Sequence, residues 1–99
     1  MKFITDGTAE IVMHPVRFNI LKLLRSADRP LYVQQIAGAT RTHARLVSHH
    51  LDILEEEGLV QCTYELRRED GVKRGVAVRM CRPTERAGQA LKDIREEAV

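Results

Sequence analysis

Apolar residues along the chain keep one rhythm up to about residue 58 and another after it. In "HPVRFNILKLL", Val16, Ile20, Leu23 and Leu24 recur at helical spacing, and Pro15 suits a first helical turn. "SADRP" ends that helix, because proline cannot continue one and biases the residue before it to extended geometry. "LYVQQIAGAT" predicts a short helix with Leu31, Ile36 and Ala37 buried, and "TAEIVM", ahead of both, predicts another. A further helix starts near Thr42. It places Val47, Leu51 and Leu54 on one stripe and stops at Gly58, as helices commonly do at glycine.

From Leu59 the period changes to two. Val60, Cys62, Tyr64 and Leu66 alternate, as do Val76, Val78 and Met80, which predicts two strands. "EDG" between them fits a three-residue hairpin loop with Gly71 in the left-handed position. That loop sets Cys62 opposite Val78 and Val60 opposite Met80, with the apolar residues of both strands on one face. Cys81 then shares the outward parity of Arg79, so no Cys62–Cys81 disulfide is expected. The last element, "TERAGQALKDIREEAV", has Thr84 as N-cap and a stripe of Ala87, Leu91, Ile94 and Ala98. That stripe, on a helix of about 84–98, faces either the core or a second copy of the chain.

The order helix, helix, helix, hairpin, helix is mainly α with a β-hairpin wing, the arrangement of a winged helix-turn-helix. Ninety-nine residues make a single domain, 1–99, with a modest core. A net charge of +2 says little about partners, so any basic surface must come from clustering. "MKFITDG" has no apolar signal core and no segment approaches membrane-spanning length, so a cytoplasmic protein is expected, without a membrane partner.

Three of these segments match a known pattern. "HPVRFNILKLL", "LYVQQIA" and "LVSHHLDILEEEGLV" resemble the ArsR-like winged-helix transcriptional regulators, in which the first looks like "DPTRLRIL" and the last like "VSRHLKxLxxxGLV". The likeness runs from about His14 to Val60, and the hairpin and final helix follow in family order. It implies a homodimer built on the terminal helices that binds a short inverted repeat in double-stranded DNA, most simply as a repressor. It also implies that the helix of about 42–57 enters the major groove and that residues of about 59–81 form the wing. Many members sense metals through paired cysteines in the helix that here reads "LYVQQIA". Tyr32 and Gln34 stand in those places, and the terminal helix offers Asp93, Glu96 and Glu97 but no histidine. Neither a metal nor another cofactor is expected.

Helical geometry bears on the three histidines of "THARLVSHHLDILEEEGLV" independently. His43 and His50 lie about 10 Å apart along the axis, too far to share one zinc ion with ligand bonds of about 2 Å. His49 and His50 diverge by roughly 100° around the axis. The wheel sets Arg45, Ser48, His49 and Asp52 opposite the apolar stripe, with His43 and His50 on its flank. His50 reads as a half-buried packing residue. Thr42 and His43, at the positive helix start, suit phosphate. Arg45 suits guanine O6 and N7, Ser48 bases or phosphate, and His49 phosphate. A solvated polar face is the competing reading for this group. Glu55, Glu56 and Glu57 read as a solvated helix end, with Glu56 about 20 Å along the axis from Thr42.

Arg67, Arg68, Lys73 and Arg74 bracket the hairpin tip, where long cations reach phosphates or a minor groove; a charged edge that resists aggregation is the alternative. Arg79 and Arg82 read as surface residues. Gln34, Gln35 and Arg41 are further candidates for backbone contact. No phosphate loop, nucleophile elbow or carboxylate pair suggests an enzyme. Two rivals remain: a winged helix that docks on protein, and a thiol-responsive repressor linking subunits through Cys62 or Cys81. Of these, Cys62 is expected inward and inert, Cys81 more exposed and reactive.

Overall fold

A computed structural model describes residues 8–67 and 75–97. Five helices and three strands follow in the order α1 (Thr8–Val12), α2 (Pro15–Ser26), β1 (Leu31–Tyr32), α3 (Val33–Thr40), α4 (Ala44–Glu56), β2 (Val60–Arg67), β3 (Val76–Pro83) and α5 (Glu85–Glu97). The architecture is that of a winged helix-turn-helix, mostly helical with a small antiparallel sheet ordered β1-β3-β2.

The helix signals act where expected. Pro15 opens α2 behind an N-cap at His14, whose Nδ1 accepts the Val16 N–H at 3.2 Å. Gly58 follows α4 at φ 76°, a left-handed conformation in which a side chain would be strained. The core is built from Val12, Ile20, Leu21, Leu24, Ile36, Val47, Leu51, Leu54, Leu59, Val60, Cys81, Ala87 and Ala90, all buried. Each large side chain among them is worth roughly 1.5–3 kcal/mol of transfer free energy. On α2 the stripe is turned slightly from expectation, with Leu21 fully buried and Val16 and Leu23 half-buried.

Leu31 and Tyr32 depart from the expected helix. They form a two-residue strand that adds to β3, pairing Leu31 with Cys81 and Tyr32 with Met80. The chain turns helical only at Val33, where the Gln35 side-chain oxygen accepts the Tyr32 N–H at 3.0 Å.

The hairpin register also differs. Cys62 lies opposite Cys81, Tyr64 opposite Arg79, and Val60 opposite Pro83. The pairing is displaced by three residues from the register with Val78 opposite Cys62. An odd displacement exchanges the faces of one strand. Thus Cys81, read as exposed, is buried at 0% and disulfide-bonded to Cys62, which is half-buried. Arg79 points inward as well, with its side chain only 12% exposed. Tyr64 and Leu66 keep their expected parity but lie beyond the core's edge, 73% and 77% exposed. Burial has two requirements here that alternation does not encode. Cys81 must meet Leu31 across the sheet, and Arg79 must reach acids on α4.

Candidate nucleic-acid interface

The turn between α3 and α4 is fixed by short-range polar contacts. Thr40 Oγ1 donates to Ile36 O at 2.7 Å, and Thr42 Oγ1 donates to Thr40 O at 3.1 Å. Arg41 between them adopts φ 53°, ψ 41°, a left-handed conformation that is uncommon outside glycine, and ends α3. His43 then caps α4, its Nδ1 accepting the Arg45 N–H at 3.2 Å. Two expected contact residues therefore have local work. Thr42 is half-buried and its hydroxyl braces the turn, while His43 is exposed but holds the helix start.

Along α4, Val47, His50, Leu51 and Leu54 are buried, Arg45 and His49 are exposed, and Ser48 is half-buried. The structure thus brings Arg45, Ser48 and His49 to the surface of one helical half. Leu46, 44% exposed, accompanies them. Arg67 ends β2, its backbone paired with Val76; Arg68, Lys73 and Arg74 lie outside the described residues.

His50 is 4% exposed and more deeply set than its position on the stripe's flank suggests. Its Nδ1 accepts the Arg17 Nε–H at 3.2 Å, and its ring centroid lies 4.6 Å from that of His14. Arg17 also donates to Ile11 O at 3.2 Å, so one side chain ties α1, α2 and α4 together. Burial lowers the His50 pKa below its usual value of 6.5, and the charges of His14, Arg17 and His49 push it the same way.

The far end of α4 is not simply solvated. Arg79 Nη1 lies 2.8 Å from Asp52 Oδ1, and Arg79 Nη2 lies 3.1 Å from Glu55 Oε1. Glu55 Oε2 also accepts the Cys62 N–H at 3.0 Å. Arg86 of α5 lies 3.7 Å from Glu57. Arginines from β3 and α5 therefore neutralise acids that would otherwise repel a polyanion approaching α4. Arg17, His14 and Arg79 are the structurally decisive residues that sequence reasoning missed. Their partners lie on other elements, so neither spacing nor alternation marks them.

Among the described residues, no group of three or more His, Cys, Asp or Glu side chains is placed to hold a metal ion, and no helix is long and apolar enough to cross a membrane.

Residues 14–61 match the family model described as "Bacterial regulatory protein, arsR family". A search of curated proteins found no match. Among solved structures, the chain is similar to a possible transcriptional regulatory protein (fragment 1–100) from Mycobacterium bovis, at 25% identity over 94% of this chain and 91% of that one, with a TM-score of 0.67. It is similar to a homodimeric winged helix-turn-helix DNA-binding domain from Mycobacterium bovis studied in solution, at 23% identity over 99% and 90%, TM-score 0.65. The fold also occurs within an enzyme. Human N-acetylserotonin methyltransferase aligns at 21% identity and TM-score 0.60 over 82% of this chain but only 21% of its own length.

Proposed function

We propose that the chain, whose residues 14–61 match the arsR-family model, is an ArsR-like DNA-binding transcriptional regulator, a homodimeric repressor acting by occupancy of a short inverted repeat. One observation carries the reading: α4 is electrically graded. Its first half exposes Arg45 and His49, while Asp52 and Glu55 of its second half are paired with Arg79 and Glu57 just after it with Arg86. A helix of that kind can lie in a major groove by its N-terminal half without an acidic surface meeting phosphates.

Arg45 reads a guanine through its two-pronged guanidinium, and Ser48 and His49 contact bases or phosphate. Thr42 and His43 meet phosphate at the helix start, and Arg67, Arg68, Lys73 and Arg74 do so from the wing. The single domain, 1–99, works in the cytoplasm, without metal or other cofactor and without catalysis. Dimerisation is supported by the similar Mycobacterium bovis domain, which is homodimeric, and we place it on α5. It is also supported by a groove of about 810 Å³ between α2 and α5, where Phe18, Leu91 and Ile94 stay only partly covered.

Selection of bound sites from random duplex DNA tests the proposal. It should recover a palindrome with half-sites about one helical turn apart, and Arg45→Ala should relax one position per half-site at a cost of about 1–3 kcal/mol. Recovery of no motif would sink it. The second reading, docking on a protein, would then take its place, since Tyr64 and Leu66 present an exposed apolar wing face.

A further inference from the structure

The chain has two cysteines, and the fold sets them directly opposite each other where the wing leaves the core. Their Cα atoms lie 4.1 Å apart, and the sulfurs are joined. Of the two, Cys81 is fully buried in the core, while Cys62 is half-buried and packs against it. The bond closes a loop spanning a sequence separation of 19, which holds all of the wing beyond its base. The basic residues Arg67, Arg68, Lys73 and Arg74 fall inside that loop. The same position is tied to α4, because Glu55 accepts the Cys62 N–H through one carboxylate oxygen and the Arg79 guanidinium through the other.

We propose that Cys62 and Cys81 form a reversible redox latch at the base of the wing, set by exchange with low-molecular-weight disulfides, and that closing it tightens DNA binding. The inference rests on the DNA-binding reading above. An inter-subunit thiol bridge is a different device, and the partners seen here, within one chain, replace it.

The chemistry balances as two successive exchanges. The Cys62 thiolate attacks a small disulfide RSSR, forming a mixed disulfide at Cys62 and releasing one RS⁻. The Cys81 thiolate then attacks Cys62 Sγ, forming the protein disulfide and releasing the second RS⁻. The protons lost by the two cysteines end on the two RS⁻ groups. The protein is thus oxidised by two electrons and RSSR is reduced to two RSH. Reduction runs the reverse course, with a small thiolate entering at Cys62 Sγ, on the less buried of the two cysteines, and Cys81 leaving. Closure restricts the wing's backbone before DNA arrives, so less ordering is left to be done on binding.

The test uses the whole chain and the DNA site selected from random sequence. Protein is equilibrated in glutathione redox buffers, the disulfide fraction is read by thiol labelling and mass, and DNA affinity is measured at each fraction. Affinity should rise about fivefold or more with the oxidised fraction, reversibly, and Cys62→Ser should bind like the reduced protein in every buffer. The latch is overturned by equal affinity in the two forms, by weaker binding of the oxidised form, by a disulfide that no glutathione ratio opens, or by a Cys62→Ser protein that still responds. The wild-type titration decides the matter if the variant folds poorly. If neither form binds any DNA, the parent reading falls and takes this one with it; if both bind equally, this one falls alone.

Discussion

His50 sits at the back of the helix proposed to read DNA, and its environment requires it neutral. Its Nδ1 can accept from Arg17 Nε only while unprotonated, and His14, Arg17 and His49 all oppose a positive charge there. The folded-state pKa is lowered relative to the unfolded chain. The unfolded state therefore binds the proton more readily, and stability falls as pH drops. The contribution is present in full above about pH 6.5, the ordinary histidine value, and is lost progressively below it, down to the lowered folded pKa. Urea melts between pH 7.5 and 5.5, where carboxylates are still ionised, should show this decline. In His50→Gln the amide oxygen can still accept from Arg17 but does not titrate, so the slope should flatten; an unchanged slope would assign it elsewhere. The sequence put His50 on the flank of the apolar stripe and so anticipated packing. Its partners were illegible there, since Arg17 is distant in sequence and charge-neutral helix wheels show only one element at a time.

At the scale of elements, Arg79 joins the wing to α4. It bridges Asp52 and Glu55, one turn apart, while its own side chain is largely withdrawn from water. Both acids remain substantially exposed, at 69% and 42%, so the pairs are partly screened. Arg79→Ala should cost about 1 kcal/mol of stability in urea melts at low salt, shrinking in 1 M salt as the lost attraction is screened anyway. The same variant should bind DNA more weakly, because Asp52 and Glu55 lose their counter-charge on the helix that bears Arg45 and His49. Full affinity would show that those acids do not face the duplex.

Arg79 also shows why helices were legible here and the hairpin register was not. Helix limits follow local chemistry, such as Pro15, the His43 cap and Gly58, and the period fixes the buried face. For β3, alternation offered two faces: Val76, Val78 and Met80, or Ala77, Arg79, Cys81 and Pro83. The less apolar face turned inward, because Leu31 of β1 pairs beside Cys81 and the α4 acids accept Arg79. Both reasons are long-range, and so was the strand character of Leu31 and Tyr32, whose pairing partner is β3. The candidate site was legible as a helical half bearing Arg45, Ser48 and His49. The pairing of Asp52 and Glu55 with Arg79 beyond it was not.

For the whole molecule, a net charge of +2 conceals a division of labour. Several arginines are spent on internal pairing, Arg17 with His50, Arg79 with Asp52 and Glu55, and Arg86 with Glu57, leaving others to face a partner. Salt dependence counts those that meet phosphate, since each contact releases condensed counterions and contributes about −0.9 to the slope of log K against log salt. It can also count protomers. A symmetric dimer on an inverted repeat uses every contact residue twice, so removing one phosphate-binding cation per chain should change the slope by about 1.8, against about 0.9 for a monomer. Arg67→Gln at the end of β2 is the suitable variant, because its backbone pairs with Val76 and the substitution leaves that ladder intact. Titrations of wild type and variant on the selected palindrome, from 50 to 200 mM salt, give the difference. About two units would support a dimer with both wings on DNA, about one a single engaged wing. No change would remove Arg67 from the interface and leave recognition to α4.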